Sequence, residues 1–198
     1  VVDERNNLLL AIGDVRQVCF PRSAIKYMQA LPLIESGAAD AFGITAEELA
    51  LICASHNGEP VHVEKVQALL ARIGLGESAL GCGPHAPTHR ESDIRLIQSG
   101  AKPSQLHNNC SGKHSGFLAL AKHLGAPLDT YLHPDHPVQQ RVRAALADLC
   151  EVDENSLVVG TDGCSAPNFA MPLINQAIGF KNLGMARGHA VRDAACRR

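Results

Sequence analysis

The sequence predicts an α+β fold, with helices packed on a small antiparallel sheet. Three observations carry that prediction. Two short apolar runs near the start, residues 7–12 (NLLLAI) and 15–20 (VRQVCF), meet at Gly13-Asp14, which is a hairpin signal. Segments of helical periodicity then fill most of the remaining chain. Strands and helices do not alternate in the βαβ manner of a parallel sheet. A lone hairpin is marginal in water, so the sheet is expected to be incomplete as read and to draw partners from elsewhere.

The elements follow in order. Pro21 and Ser23 open a helix, Pro32 should kink or shorten it, and Gly37 lies beyond its end. Thr45-x-x-Glu48 reads as a capping box before LALICA, so a second helix runs to about Ala54. SHNGE breaks it. Pro60 stands where a first helical residue belongs, ahead of VEKVQALLARIG. Residues 74–88, rich in Gly, Pro and His, read as a loop, and Thr88-x-x-Glu91 as the cap of a helix ending near Gly100. AKPSQLHNNCSG is again loop, and KHSGFLALAKHLG is helical. HPVQQRVRAALADLC, with Pro137 near its start, is the strongest helical pattern in the chain. SLVVG (156–160) reads as a short strand, TDGCSAPN as a turn-rich loop, and roughly 171–183 as a last helix. One domain spanning 1–183 is expected, followed by a divergent tail over 184–198.

Composition excludes several classes. The chain has 198 residues, 45% hydrophobic and 19% charged, with a net charge of -2. No basic stripe offers itself to nucleic acid, and no apolar run is long enough to span a bilayer. Seven cysteines at irregular spacing argue against a disulfide framework and for a reducing cytoplasm.

The first chemical signal is Ser23-x-x-Lys26. A hydroxyl and an amine at i and i+3 of a helix face the same way. A neutral lysine can take a serine proton, provided burial or a nearby cation lowers an amine pKa that is otherwise near 10.4. Ala24, Ile25, Met28 and Leu31 favour burial, and Arg22 adds positive charge. Alone, S-x-x-K is more often a capped, solvated turn. Ser55-x-Asn57, in a loop directly after a helix, strengthens the signal, because S-x-x-K followed by S-x-N is the pattern of Ser-Lys acyl-transfer enzymes. The usual third piece, K-[ST]-G, does not occur in these residues.

Two further loops, HNNCSGKHSGF (107–117) and TDGCSAPNF (161–169), each set a cysteine among Gly, Ser and Asn, unlike Cys53 and Cys150 in their apolar runs. Thiolates bind zinc well, and Cys110 and Lys113 are close enough in sequence to reach one ion. From spacing alone, reactive or merely small loop residues are the better reading of both cysteines. Cys82, His85 and His89 have ligand-like spacing, but Pro84 and Pro87 make their segment irregular and speak against a metal there. No nucleotide-binding glycine motif occurs.

RSAIK (22–26), CASHNGE (53–59), NNCSGKHSG (108–116), PDHPVQ (134–139) and TDGCSAP (161–167), in this order, resemble the bacterial L-asparaginase II family of the Rhizobium etli type. The resemblance covers the chain to about Leu183, and after GFKNL the pattern departs from the family. It implies a fold similar to serine β-lactamases and glutaminases, and hydrolysis of L-asparagine to L-aspartate and ammonia. By motif, Ser23 resembles the nucleophile, Lys26 its base and Ser55 the second catalytic serine. Cys110, Lys113 and Cys164 resemble zinc ligands beside them. Arg22, Asn57 and Asp162 are assigned to substrate binding. The family chain extends further and supplies another catalytic lysine that has no counterpart in these residues. A cytoplasmic enzyme acting on a small molecule, without nucleic acid or membrane partners, is expected, and a homodimer is compatible with it.

Overall fold

The computed structural model describes residues 1–186 and 190–198. It is a mixed α+β structure, and its helices enclose a core built on one central helix. That helix, α6 (Ser111–His123), is buried from Ser111 through Ala121. It carries almost no amphipathic pattern because it has no solvent face. Around it lie α1 (Lys26–Glu35), α2 (Ala38–Ala41), α3 (Ala46–Cys53), α4 (Pro60–Arg72) and α7 (Pro137–Cys150). Helix α5 (Arg90–Gln98) buries no residue. Helix α8 (Leu173–Met185) packs on α7, and α9 (Ala190–Cys196) packs on α1.

Local chemistry explains most of these boundaries. Thr45 and Glu48 form the reciprocal capping box of α3, and Pro60 is the first residue of α4. His136 caps α7 by accepting the Val138 N–H, with Pro137 next in line. Helix α1 runs through Pro32 to Glu35, and Gly37 turns the chain in the left-handed region (φ +80°). The cap expected at Thr88 is not formed. The Thr88 hydroxyl donates to Asn57 Oδ1 (3.2 Å), and α5 starts one residue later behind His89.

The sheet has three antiparallel strands, β1 (Val18–Cys19), β2 (Val158–Thr161) and β3 (Pro167–Pro172), in the order β1-β3-β2. Val18 faces Pro172, while Val158 faces Ala170 and Thr161 faces Pro167. The hairpin expected at Gly13-Asp14 is therefore corrected. Residues 15–17 bond instead to the start of α8, through Leu173 N to Gln17 O and Ile174 N to Val15 O. Residues 7–12 stay exposed and fold back on the first residues, through a bridge from Leu8 to Val2 and the Leu9 N–H donating to Val1 O. The short run at 156–160 does become a strand, over 158–161. Its partner β3 is the buried centre of the sheet, and residues 162–166 form the hairpin loop that carries Cys164. The divergent tail assigned to 184–198 falls partly on residues 187–189, which lie outside the described residues; its last part is α9.

Candidate active site

Four segments converge at one end of α6. The 3₁₀ turn Arg22–Ile25 delivers Ser23 and leads into α1 at Lys26. Arg22 stands in the left-handed region (φ +51°), which is uncommon for a residue with a Cβ and marks a tightly held turn. The segment after α3 carries Ser55. The start of α6 carries Cys110 and Lys113, and the β2–β3 loop carries Asp162 and Cys164. Arg22, Ser23, Asn108, Asn109, Cys110 and Cys164 line a polar cavity of about 190 Å³, together with His85 and Asp162.

Lys26 is 1% exposed. Its amine donates to Ala54 O (2.8 Å), Ser55 Oγ (2.9 Å) and Asn109 O (3.4 Å). An ammonium has three hydrogens, so those acceptors satisfy it completely and none is left for Ser23. Burial pushes the Lys26 pKa down, the neighbouring Lys113 pushes the same way, and the Cys110 thiol opposes both. The hydroxyl bonded to Lys26 is that of Ser55, not Ser23. Ser23 is exposed on the cavity, and its hydroxyl has no hydrogen-bond partner among the described residues.

Cys110, Lys113 and Cys164 come together as a buried group. Lys113 Nζ lies 3.3 Å from Cys164 Sγ. The Cys110 thiol donates to Asn109 Oδ1 (3.4 Å), and its interaction with Cys164 pulls the Cys164 pKa down and raises that of Cys110. The Cys110 N–H is anchored on Asn108 Oδ1 (2.9 Å), and the Asn108 amide in turn holds Cys82 O and Gly83 O. Among the described residues no three His, Cys, Asp or Glu side chains form a metal cluster. A metal here would therefore rely on two sulfurs and an amine. That donor set suits zinc, since soft thiolates favour it, and the convergence of two sulfurs beside one buried amine fits the ion chemically.

Asp162 is half-buried, with its side chain only 8% exposed although it lies in a loop. Arg22 Nε donates to its Oδ1 at 3.2 Å and the Gly163 N–H at 2.8 Å, while Oδ2 lies 3.9 Å from Cys164 Sγ. Arg22 and Asp162 thus bracket the cavity as a pair. Asn57 does not join them. Its backbone carbonyl receives the Thr88 and His89 N–H groups and its side chain receives the Thr88 hydroxyl, so it clamps the 84–89 loop.

Sequence reasoning passed over several residues here. His85, set aside among prolines, lines the cavity. His56 is buried, with Nδ1 accepting from Gly58 N (3.1 Å) and Nε2 lying 2.8 Å from Ser111 Oγ. Nε2 therefore carries the hydrogen and donates to Ser111, whose hydroxyl donates on to Leu106 O (3.0 Å). His114 and Tyr131 form a second buried pair behind Cys164. Only the position of His56 and His114 inside quoted motifs hinted at them, and nothing local marks Tyr131.

No curated protein matches the chain significantly. A family model does. The model of L-asparaginase II matches residues 1–198, tail included. With the Ser-Lys and thiol constellation described above, the chain belongs to the L-asparaginase II family, whose members are asparaginase-type amidohydrolases.

Proposed function

We propose that the chain hydrolyses the side-chain amide of L-asparagine to L-aspartate and ammonia through a serine ester, with Lys26 as the base and a fold of the serine β-lactamase and glutaminase kind. The observation that carries this reading is the buried Lys26 amine, which bonds Ser55 Oγ at 2.9 Å on a turn that presents Ser23 to a polar cavity. Burial favours the neutral amine, the form that can accept a proton.

Ser23 attacks the amide carbon, and its proton passes to the lone pair of neutral Lys26, which has two hydrogens and has given up one of the three acceptors it holds as an ammonium. Ammonia departs with a proton returned from Lys26. Water then opens the ester while Ser55 relays protons to and from the same amine. Arg22 binds the substrate's α-carboxylate and Asp162 its α-amino group, so substrate separates a pair that the empty cavity holds together. The Asn108–Asn109 segment borders the position of the oxyanion. Asn57 supports the loop above the site.

Cys110, Lys113 and Cys164 would hold zinc, which supplies fixed positive charge that orients groups in the cavity. Chelation followed by zinc readdition is expected to lower and then restore activity. A second reading has one observation in its favour: Ser55, not Ser23, is the hydroxyl already bonded to Lys26. Substitution with mass-spectrometric trapping of the aspartyl ester separates the two. Ser23→Ala should abolish ester formation, and Ser55→Ala should slow turnover by about 10²–10⁴-fold while leaving the ester on Ser23. An ester found on Ser55 would reverse the roles.

Seven cysteines without a disulfide support a cytoplasmic assignment. Among the described residues no helix is long and apolar enough to cross a membrane. Sedimentation of the purified protein tests the homodimer.

A further inference from the structure

His114 and Tyr131 lie in the core, at 0% and 2% exposure. Tyr131 Oη is 2.6 Å from His114 Nδ1 and 2.7 Å from the Gly81 backbone N. An amide N–H can only donate, so Oη accepts from Gly81. The hydroxyl hydrogen then has one acceptor among the described residues, His114 Nδ1. A proton on Nδ1 would strand that hydrogen in the core, where unmade bonds are costly. Nδ1 therefore accepts, and the hydrogen of the neutral ring sits on Nε2.

Gly81 is part of this arrangement. A Cβ there would lie 2.7 Å from Leu132 Cδ1 and 3.2 Å from Tyr131 Oη, so any larger residue would push on the hydroxyl and its neighbour. At the far side of the ring, Nε2 is buried and has no conventional hydrogen-bond partner. Buried donors seldom go unpaired. Tyr131 takes Nδ1, so the ring's interaction with Cys164 falls to Nε2, and that sulfur also lies 3.3 Å from Lys113 Nζ.

We propose that His114 is a positioning residue whose Nε2–H donates to Cys164 Sγ, held in that tautomer by the chain Gly81 N–H to Tyr131 Oη–H to His114 Nδ1. The chain runs through rigid core and ends on one sulfur of the candidate metal site. It orients that sulfur. Partners of this kind behind a ligand set metal affinity strongly. The consequence for metal rests on the zinc reading above, whereas the tautomer does not.

Two measurements test the proposal. Two-bond ¹⁵N–¹H correlation spectra of the chelator-stripped protein report which ring nitrogen carries the hydrogen, the His114 signals being those lost in His114→Gln. The wild-type ring should be the Nε2–H tautomer, and Tyr131→Phe should convert it to a mixture. An Nδ1–H ring in the wild type overturns the proposal and requires no variant to fold. In the second measurement, stripped protein is titrated with zinc against a chromophoric chelator. Tyr131→Phe should weaken binding about 10-fold and His114→Gln by up to about 100-fold, each with a cooperative melt. Unchanged affinity in both variants overturns the positioning role. A wild-type protein that takes up no zinc overturns the metal reading alone, and the spectra still decide the hydrogen bond.

Discussion

Lys26 spends its three hydrogens on Ala54, Ser55 and Asn109 in a setting that disfavours its charge. As a base it works only when neutral. Activity should therefore rise with pH through an apparent pKa below the ordinary 10.5, read from a pH profile of ammonia release. Lys26→Met should cost at least about 10²-fold in kcat. His56 makes a prediction about stability instead. Burial, with repulsion from His62, Lys26 and His107, lowers its pKa from 6.5 to about 4. Between those values the unfolded chain binds more protons than the folded one, so stability falls as pH drops from 6.5 toward 4, by roughly 3 kcal/mol at the limit. Urea melts across that range should show the slope, and His56→Asn should flatten it. The Ser-Lys pair and the two loop cysteines were legible because each sits in a short motif. The choice of Ser55 as the Lys26 partner was not, since it depends on how far α3 lies from α1.

Helix α6 makes the element-scale case. Its first residues supply Cys110 as the cap position and Lys113 one turn on, and its backbone lies directly against α3. A Cβ on Gly112 would fall 2.4 Å from Leu51 O, a backbone atom that cannot move aside alone. Gly112→Ala should destabilise by about 3 kcal/mol and displace Cys110 and Lys113 together, visible as a lower Tm and weaker zinc uptake. Helix starts at Thr45, Pro60 and Pro137 could be read directly from capping chemistry. The start of α5 could not, because the Thr88 hydroxyl found a distant acceptor in Asn57. Strand β3 was hidden for a related reason: TDGCSAPNF reads as turn residues, and only pairing on both edges makes PNFAMP a strand.

Across the whole molecule, chain ends and middle are tied together by long-range contacts. Arg192 of α9 ion-pairs with Glu35 of α1 and, at 3.0 Å, with Asp148 of α7. Arg192→Ala should free the last helix, cost about 2 kcal/mol, and raise the rate of limited proteolysis after residue 186. The same long-range logic separates what the amino-acid sequence determined from what folding decided. Helix caps, the α+β class, the family and the motifs of the candidate site are written in neighbouring residues. The sheet order β1-β3-β2, the partner of Lys26, and the chain from Gly81 through Tyr131 and His114 toward Cys164 join segments far apart in sequence. Hydrogen bonds and ion pairs reach only a few ångströms, so their partners exist only once packing has brought those segments together.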